Sequence, residues 1–199
     1  RAVLWEAVGR FGGRVHDAPG DPRSAELLHV IGELRRAKDA DEVAVLKATA
    51  HAAEAGHAWA RANLRPEMTE LDGYAEVSAA CVRAAGQPVV VYGDFVVSPG
   101  PARRTGPPTG RVLRSGDTFI LDFSVVLFGY RTDFTNTLVV GGQPTAEQRE
   151  LFDLCVRALG AAEPHLRPGV PCVEVYRAVR DSFAEAGVAD LFPHHAGHG

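Results

Sequence analysis

The stretch Thr118-Phe119-Ile120-Leu121-Asp122-Phe123-Ser124-Val125-Val126-Leu127-Phe128-Gly129-Tyr130-Arg131-Thr132-Asp133-Phe134-Thr135-Asn136-Thr137-Leu138-Val139-Val140 decides the fold. Residues 118–127 and 131–140 are rich in β-branched and aromatic side chains and meet around Phe128-Gly129, so they read as an antiparallel hairpin. Strand alternation sends Phe119, Leu121, Phe123 and Val125 to one face and Asp122 and Ser124 to the other, where Arg131, Asp133, Thr135 and Thr137 join them. Centring the hairpin near Leu127-Phe128 makes Asp122 and Asp133 direct cross-strand partners. Opposed carboxylates repel unless one is protonated or a divalent metal lies between them. The plainer alternative is that Asp122 accepts hydrogen bonds from a neighbouring loop while Asp133 is solvated just past the turn.

Asp39 and Glu42 form a capping-box pattern ahead of Val43, Leu46, Ala50 and Ala53, which predicts a long helix to about residue 62. Thr69 opens a second helix with Leu71, Tyr74, Val77 and Cys81 on one face and Gly86 at its end. Residues 89–92 and 95–97 read as β-rich runs, and 98–110 as a Pro/Gly-rich loop. Thr145 caps a helix to about residue 166, and residues 173–186 form another. Helices and strands without regular βαβ alternation predict an α+β fold, helices lying on the outer face of a curved antiparallel sheet. Residues 1–36 are too short to close a core and read as the tail of a preceding domain, so the domain proper starts at residue 37.

The 199 residues carry 46% hydrophobic and 23% charged side chains, which excludes disorder and fibrous structure. A formal net charge of -4 without a basic run argues against nucleic acid as a partner. Cys81, Cys155 and Cys172 lack paired-ligand spacing, so neither a disulfide framework nor a cysteine zinc site is expected. No apolar run reaches the roughly 18 residues of a membrane span, and the expected location is the cytoplasm.

Near the end stand His194, His195 and His198, with glycines at 197 and 199. Imidazole is a common ligand for divalent metals, although the HExxH zinc motif is absent because His195 occupies the Glu position. Combined with the two aspartates, the histidines favour a metal site over a solvated tail. His51 and His57, on the long helix, read as surface or packing residues.

Residues 121–124, 129–137 and 194–199 together resemble the three successive motifs of the pita-bread metallopeptidases (M24), the family of methionine aminopeptidase, aminopeptidase P, prolidase and the metal-free relative creatinase. Residues 33–42 resemble the domain junction of the Xaa-Pro aminopeptidase and prolidase branch. The resemblance implies Asp122 as a ligand of one metal, Asp133 as a bridging ligand and His198 as a ligand of the second metal. It gives His194 contact with substrate or with the tetrahedral intermediate, and Tyr130, beside this site, is a candidate substrate contact. The implied reaction is hydrolysis of an N-terminal peptide bond, commonly one preceding proline, with two divalent ions for which manganese, cobalt and zinc all suit the O/N donors. A homodimer is implied as well.

Two departures stand out. Thr105 occupies the place where the family usually has a loop histidine, and threonine cannot act as a protonated donor near neutral pH. The resemblance also calls for two glutamate ligands, one of them the general base, beyond the His-Gly motif, and the chain ends one residue after His198. The sequence therefore reads as a C-terminally truncated part of a longer protein, with the pita-bread fold incomplete and the piece by itself expected to be inactive. A metal-independent creatinase-like C–N hydrolase and a non-catalytic peptide-binding domain are the competing functions.

Overall fold

The structure, a computed structural model, describes residues 22–98, 105–192 and 195–197. In chain order these form α1 (Pro22–Arg36), α2 (Ala40–Asn63), α3 (Glu70–Ala85), β1 (Val90–Ser98), β2 (Thr118–Leu127), β3 (Tyr130–Arg131), β4 (Phe134–Val139), α4 (Ala146–Ala162) and α5 (Cys172–Glu185). Two 3-10 turns, Glu163–His165 and Ala189–Leu191, follow α4 and α5. The sheet is antiparallel throughout, with β2 in the middle, β1 on one side and β3 and β4 in succession on the other.

The helix ends follow from local chemistry. Asp39 takes the Glu42 N–H at 2.9 Å while Glu42 takes the Asp39 N–H at 2.8 Å, closing the capping box that starts α2. Thr69 and Asp72 do the same for α3, and Gly86 ends it in the left-handed region at φ 66°. The buried side of α3 consists of Glu70, Gly73, Val77 and Cys81, whereas Leu71 is exposed. The expected face was thus one residue out at its start, because Glu70 turns inward to bind backbone. Instead of two separate runs, β1 is one continuous strand through Gly93-Asp94. The helix after Thr145 stops at Ala162, where Pro164 in the following turn cannot continue it.

The main core lies between the apolar face of the sheet and α2 and α3. Phe95, Phe119, Leu121, Phe123 and Val125 pack there against Ala52, Ala53, Val77 and Cys81. Gly56 lets α2 approach α3, since a Cβ on it would lie 2.7 Å from Cys81 Sγ. A second core, built from Leu154, Ala158, Ala162, Val179 and Phe183, joins α4 to α5.

One buried carboxylate ties three parts of the main unit together. Glu70 is 1% exposed; its Oε1 accepts the Val97 N–H at 3.0 Å and its Oε2 accepts the Thr109 N–H at 2.9 Å and hydroxyl at 2.6 Å. It therefore binds the end of β1 and the loop before β2 to the start of α3. Removing the acceptor strands the buried Val97 N–H and frees Thr109, so Glu70→Ala is expected to lower stability by about 2 kcal/mol in urea unfolding followed by Trp59 fluorescence. A loss under about 0.5 kcal/mol would contradict that role.

Candidate metal centre

Phe128 and Gly129 both adopt positive φ, 51° and 85°, the conformation of a two-residue turn matched to strand twist. This turn pairs Leu127 with Tyr130 and carries the same register down the hairpin, so Asp122 faces Thr135. The direct opposition of Asp122 and Asp133 is thereby corrected. Asp133 sits two residues nearer the turn, a shift that preserves its face and makes it a diagonal neighbour, at roughly 7–8 Å between Cα atoms for such pairs. Direct repulsion is relieved, and the gap is one that an ion or water can fill.

The strand carrying Asp133 is also interrupted. Thr132 is buried and donates its N–H to the Val125 carbonyl at 3.0 Å, but the Val125 N–H bonds the Thr132 hydroxyl, also at 3.0 Å. The side chain takes over one rung of the ladder, and Asp133 falls in the break between β3 and β4. Nothing in the hydrophobic pattern announces this substitution of hydroxyl for carbonyl. Asp122 is half-buried, and its Oδ1 accepts the Thr135 hydroxyl at 2.7 Å, which fixes the carboxylate's orientation.

Both aspartates line a cavity of about 790 Å³ at the β4 side of the sheet. Phe134, Thr135 and Asn136 of β4 continue that wall, α2 contributes Glu54, His57 and Arg61, and residues 195–197 close another side. Two carboxylates on one wall suit a hard divalent cation. Among the described residues, however, no group of three or more His, Cys, Asp or Glu side chains is arranged to hold a metal. The donors fit one side of such a centre, and further ligands are needed. His194 and His198, the expected histidine contributors, lie outside the described residues. Their neighbour His195 is at the cavity.

Tyr130 is not brought to the cavity. Its hydroxyl donates to Glu42 Oε1 at 2.5 Å, fastening the hairpin tip to the first turn of α2. That bond, with the Asp39 N–H, holds the Glu42 carboxyl below the usual range, and the same bond raises the tyrosine. The hydroxyl thus ties the hairpin to the helix.

His51 is exposed, while His57 packs as a core residue. The His57 ring, 3% exposed, stacks on Phe123 with centroids 4.4 Å apart, its Nδ1 is 3.4 Å from Asn136 Nδ2, and its Nε2 has no hydrogen-bond partner among the described residues. Loss of hydration, helped by the Arg61 charge, pushes its pKa down from 6.5 to about 4 against a smaller opposing pull from the Phe134 backbone. Its position at the cavity was not legible from helical periodicity, which shows only that residue 57 shares a face with Ala53 and Ala60.

A depressed histidine pKa means that the unfolded chain takes up the proton first as pH falls. Stability from neutral His57 is complete above about pH 6.5, declines between 6.5 and 4, and is gone below; the gap corresponds to about 3 kcal/mol. His57→Phe should therefore flatten the pH dependence of the urea midpoint across that window. A wild-type profile already as flat as that of the variant would contradict this.

Residues 44–199 match the model of metallopeptidase family M24. The probable dipeptidase PepE of Mycobacterium tuberculosis is 34% identical over 174 residues, covering 85% of this chain and 45% of that protein. The crystal structure of dipeptidase PepE from Mycobacterium ulcerans superposes with a TM-score of 0.75 at 34% identity, over 86% of this chain and 46% of the other. An Xaa-Pro dipeptidase from Bacillus anthracis gives 0.66 at 26% identity, over 85% and 47%. The chain spans about half the length of the curated relatives it matches. Its sheet and helices are the corresponding part of the pita-bread fold, and the chain belongs to metallopeptidase family M24.

Proposed function

We propose that residues 37–199 are the first part of a catalytic domain that hydrolyses an N-terminal peptide bond, in particular one preceding proline, with two divalent ions. The observation that carries this reading is the placement of Asp122 and Asp133 on one wall of a single cavity in a chain of family M24. Asp122 would hold one ion and Asp133 would bridge to the second, with Thr135 steadying the Asp122 carboxylate. By resemblance, His198 would be a further ligand and His194 a catalytic and substrate contact. When bound, the ions supply Lewis acidity toward the scissile carbonyl and a more acidic water. Manganese, cobalt and zinc suit these donors equally.

The dipeptidase names of the similar proteins support a short peptide as substrate. Residues 1–36 are read as the tail of a preceding domain, supported by Leu27, Leu28, Ile31 and Leu34, which α1 leaves exposed. A cytoplasmic homodimer that binds neither nucleic acid nor membrane completes the proposal. No helix among the described residues is long and apolar enough to cross a membrane.

The test is metal analysis and Xaa-Pro dipeptide hydrolysis by the complete gene product. About two divalent ions per chain are expected, with activity lost on chelation and restored by manganese. Asp122→Asn should cut turnover by at least about a hundredfold and lower the metal content. Undiminished hydrolysis after exhaustive chelation would favour a creatinase-like reaction, the reading to which Thr105 lends weight, and peptide binding without turnover would favour a binding module.

A further inference from the structure

His57 is an unfavourable residue to bury. Its ring is 3% exposed and its Nε2 has no hydrogen-bond partner among the described residues, a penalty that a phenylalanine in the same space would avoid. The ring reaches both aspartate-bearing strands from the apolar side of the sheet. It stacks on Phe123, the residue after Asp122, with centroids 4.4 Å apart, and lies 6.4 Å from the ring of Phe134, the residue after Asp133. Its Nδ1 stands 3.4 Å from Asn136 Nδ2, and it also engages the Phe134 backbone. His57 lines the same cavity as the two aspartates.

The two carboxylates are not held alike. Asp122 lies within the paired length of β2, between β1 and β4, and Thr135 orients its carboxylate. Asp133 lies outside the paired register, because the β3 pairing ends at Arg131 and the β4 pairing begins at Phe134. Thr132 fixes the near side of that break through Val125. On the far side β4 is paired, among the described residues, with β2 alone, and such a strand opens first at its end. Phe134 and Asn136, where His57 meets β4, are at that end.

We propose that His57 is a positioning residue for the metal centre: by tying the first residues of β4 to α2, it fixes the Asp133 backbone relative to Asp122 and so the spacing at which two divalent ions are shared. This rests on the two-ion reading above. The role needs the polar contact to β4 in addition to the ring, so Asn136 belongs to it as well. Loss of a residue that supports metal ligands from behind weakens metal binding by about 10- to 100-fold, and here the loss falls on the ion that depends on Asp133.

The experiment compares wild type, His57→Phe, Asn136→Ala and the double variant in the complete gene product near neutral pH. It reads manganese stoichiometry and affinity, the electron paramagnetic resonance of the bound manganese, hydrogen exchange across residues 133–136 in the metal-free protein, and the urea midpoint. His57→Phe keeps an aromatic ring against Phe123, so its midpoint should stay near that of wild type. Its second manganese is expected to bind at least about tenfold more weakly, a single-ion signal replacing that of the coupled pair, with faster exchange at Phe134. Asn136→Ala should show the same loss, and the double variant no more than either alone. The proposal is overturned if His57→Phe binds two manganese ions as wild type does, if the losses of the two single variants add, or if both ions weaken in step with a lowered midpoint, the mark of a purely structural role. Two ions in wild type with unchanged variants overturn this proposal alone, whereas a wild type that takes up no divalent ion overturns the two-ion reading and the proposal together.

Discussion

The arrangement of the candidate centre depends on the two-residue turn Phe128-Gly129. Positive φ at both residues allows only one pairing of the strands that follow, and that pairing decides which side chains meet across the hairpin. A register change of one residue would carry Asp133 to the face occupied by Phe123; a change of two keeps the face and alters only the neighbour. The turn thus fixes Thr135, a hydroxyl donor, opposite Asp122, and sets the second carboxylate at a diagonal. Phe128, at φ 51° and largely exposed, accepts a conformation that is strained for a bulky residue, and the six-residue pairing of β2 with β4 holds it there.

Behind the polar face, apolar packing keeps the hairpin in place. Phe123 is the central contact, stacked on His57 from α2 and on Phe95 from β1. Because Phe123 directly follows Asp122, the packing that immobilises one side of β2 also immobilises the carboxylate on the other side. The tie from Tyr130 to Glu42 extends this to the hairpin tip, so α2 grips the hairpin at both ends.

Much of this was legible in the sequence, for identifiable reasons. Helix starts at Asp39, Thr69 and Thr145 announce themselves through capping boxes, and β2 through the apolar residues Phe119, Leu121, Phe123 and Val125 at every second position, signals confined to a few adjacent residues. The polar face was legible too, because face assignment survives a two-residue error in register. What could not be read were the contacts across long stretches of chain: Glu70 with Thr109, Asp94 with Asp122, Tyr130 with Glu42. Each involves a polar side chain whose partner is chosen by tertiary placement, which local periodicity does not encode. The expected roles of His198 as a metal ligand and of His194 as a substrate contact came from resemblance, and both residues lie outside the described residues.

The separation of the α4–α5 core from the sheet core has a thermodynamic consequence. Leu154, Ala158, Ala162, Val179 and Phe183 form a cluster of their own, none of whose buried members belongs to the cluster around Phe123. Cooperativity is transmitted by shared packing, so the two clusters are expected to open as separate units, the helical pair at a free energy set mainly by its own small interface. A global unfolding free energy for the chain is then an average over two events, one seen by Trp59 in the sheet unit and one to which it is blind. Protease nicking between residues 140 and 145 would release the helical pair while leaving the carboxylate-bearing sheet folded.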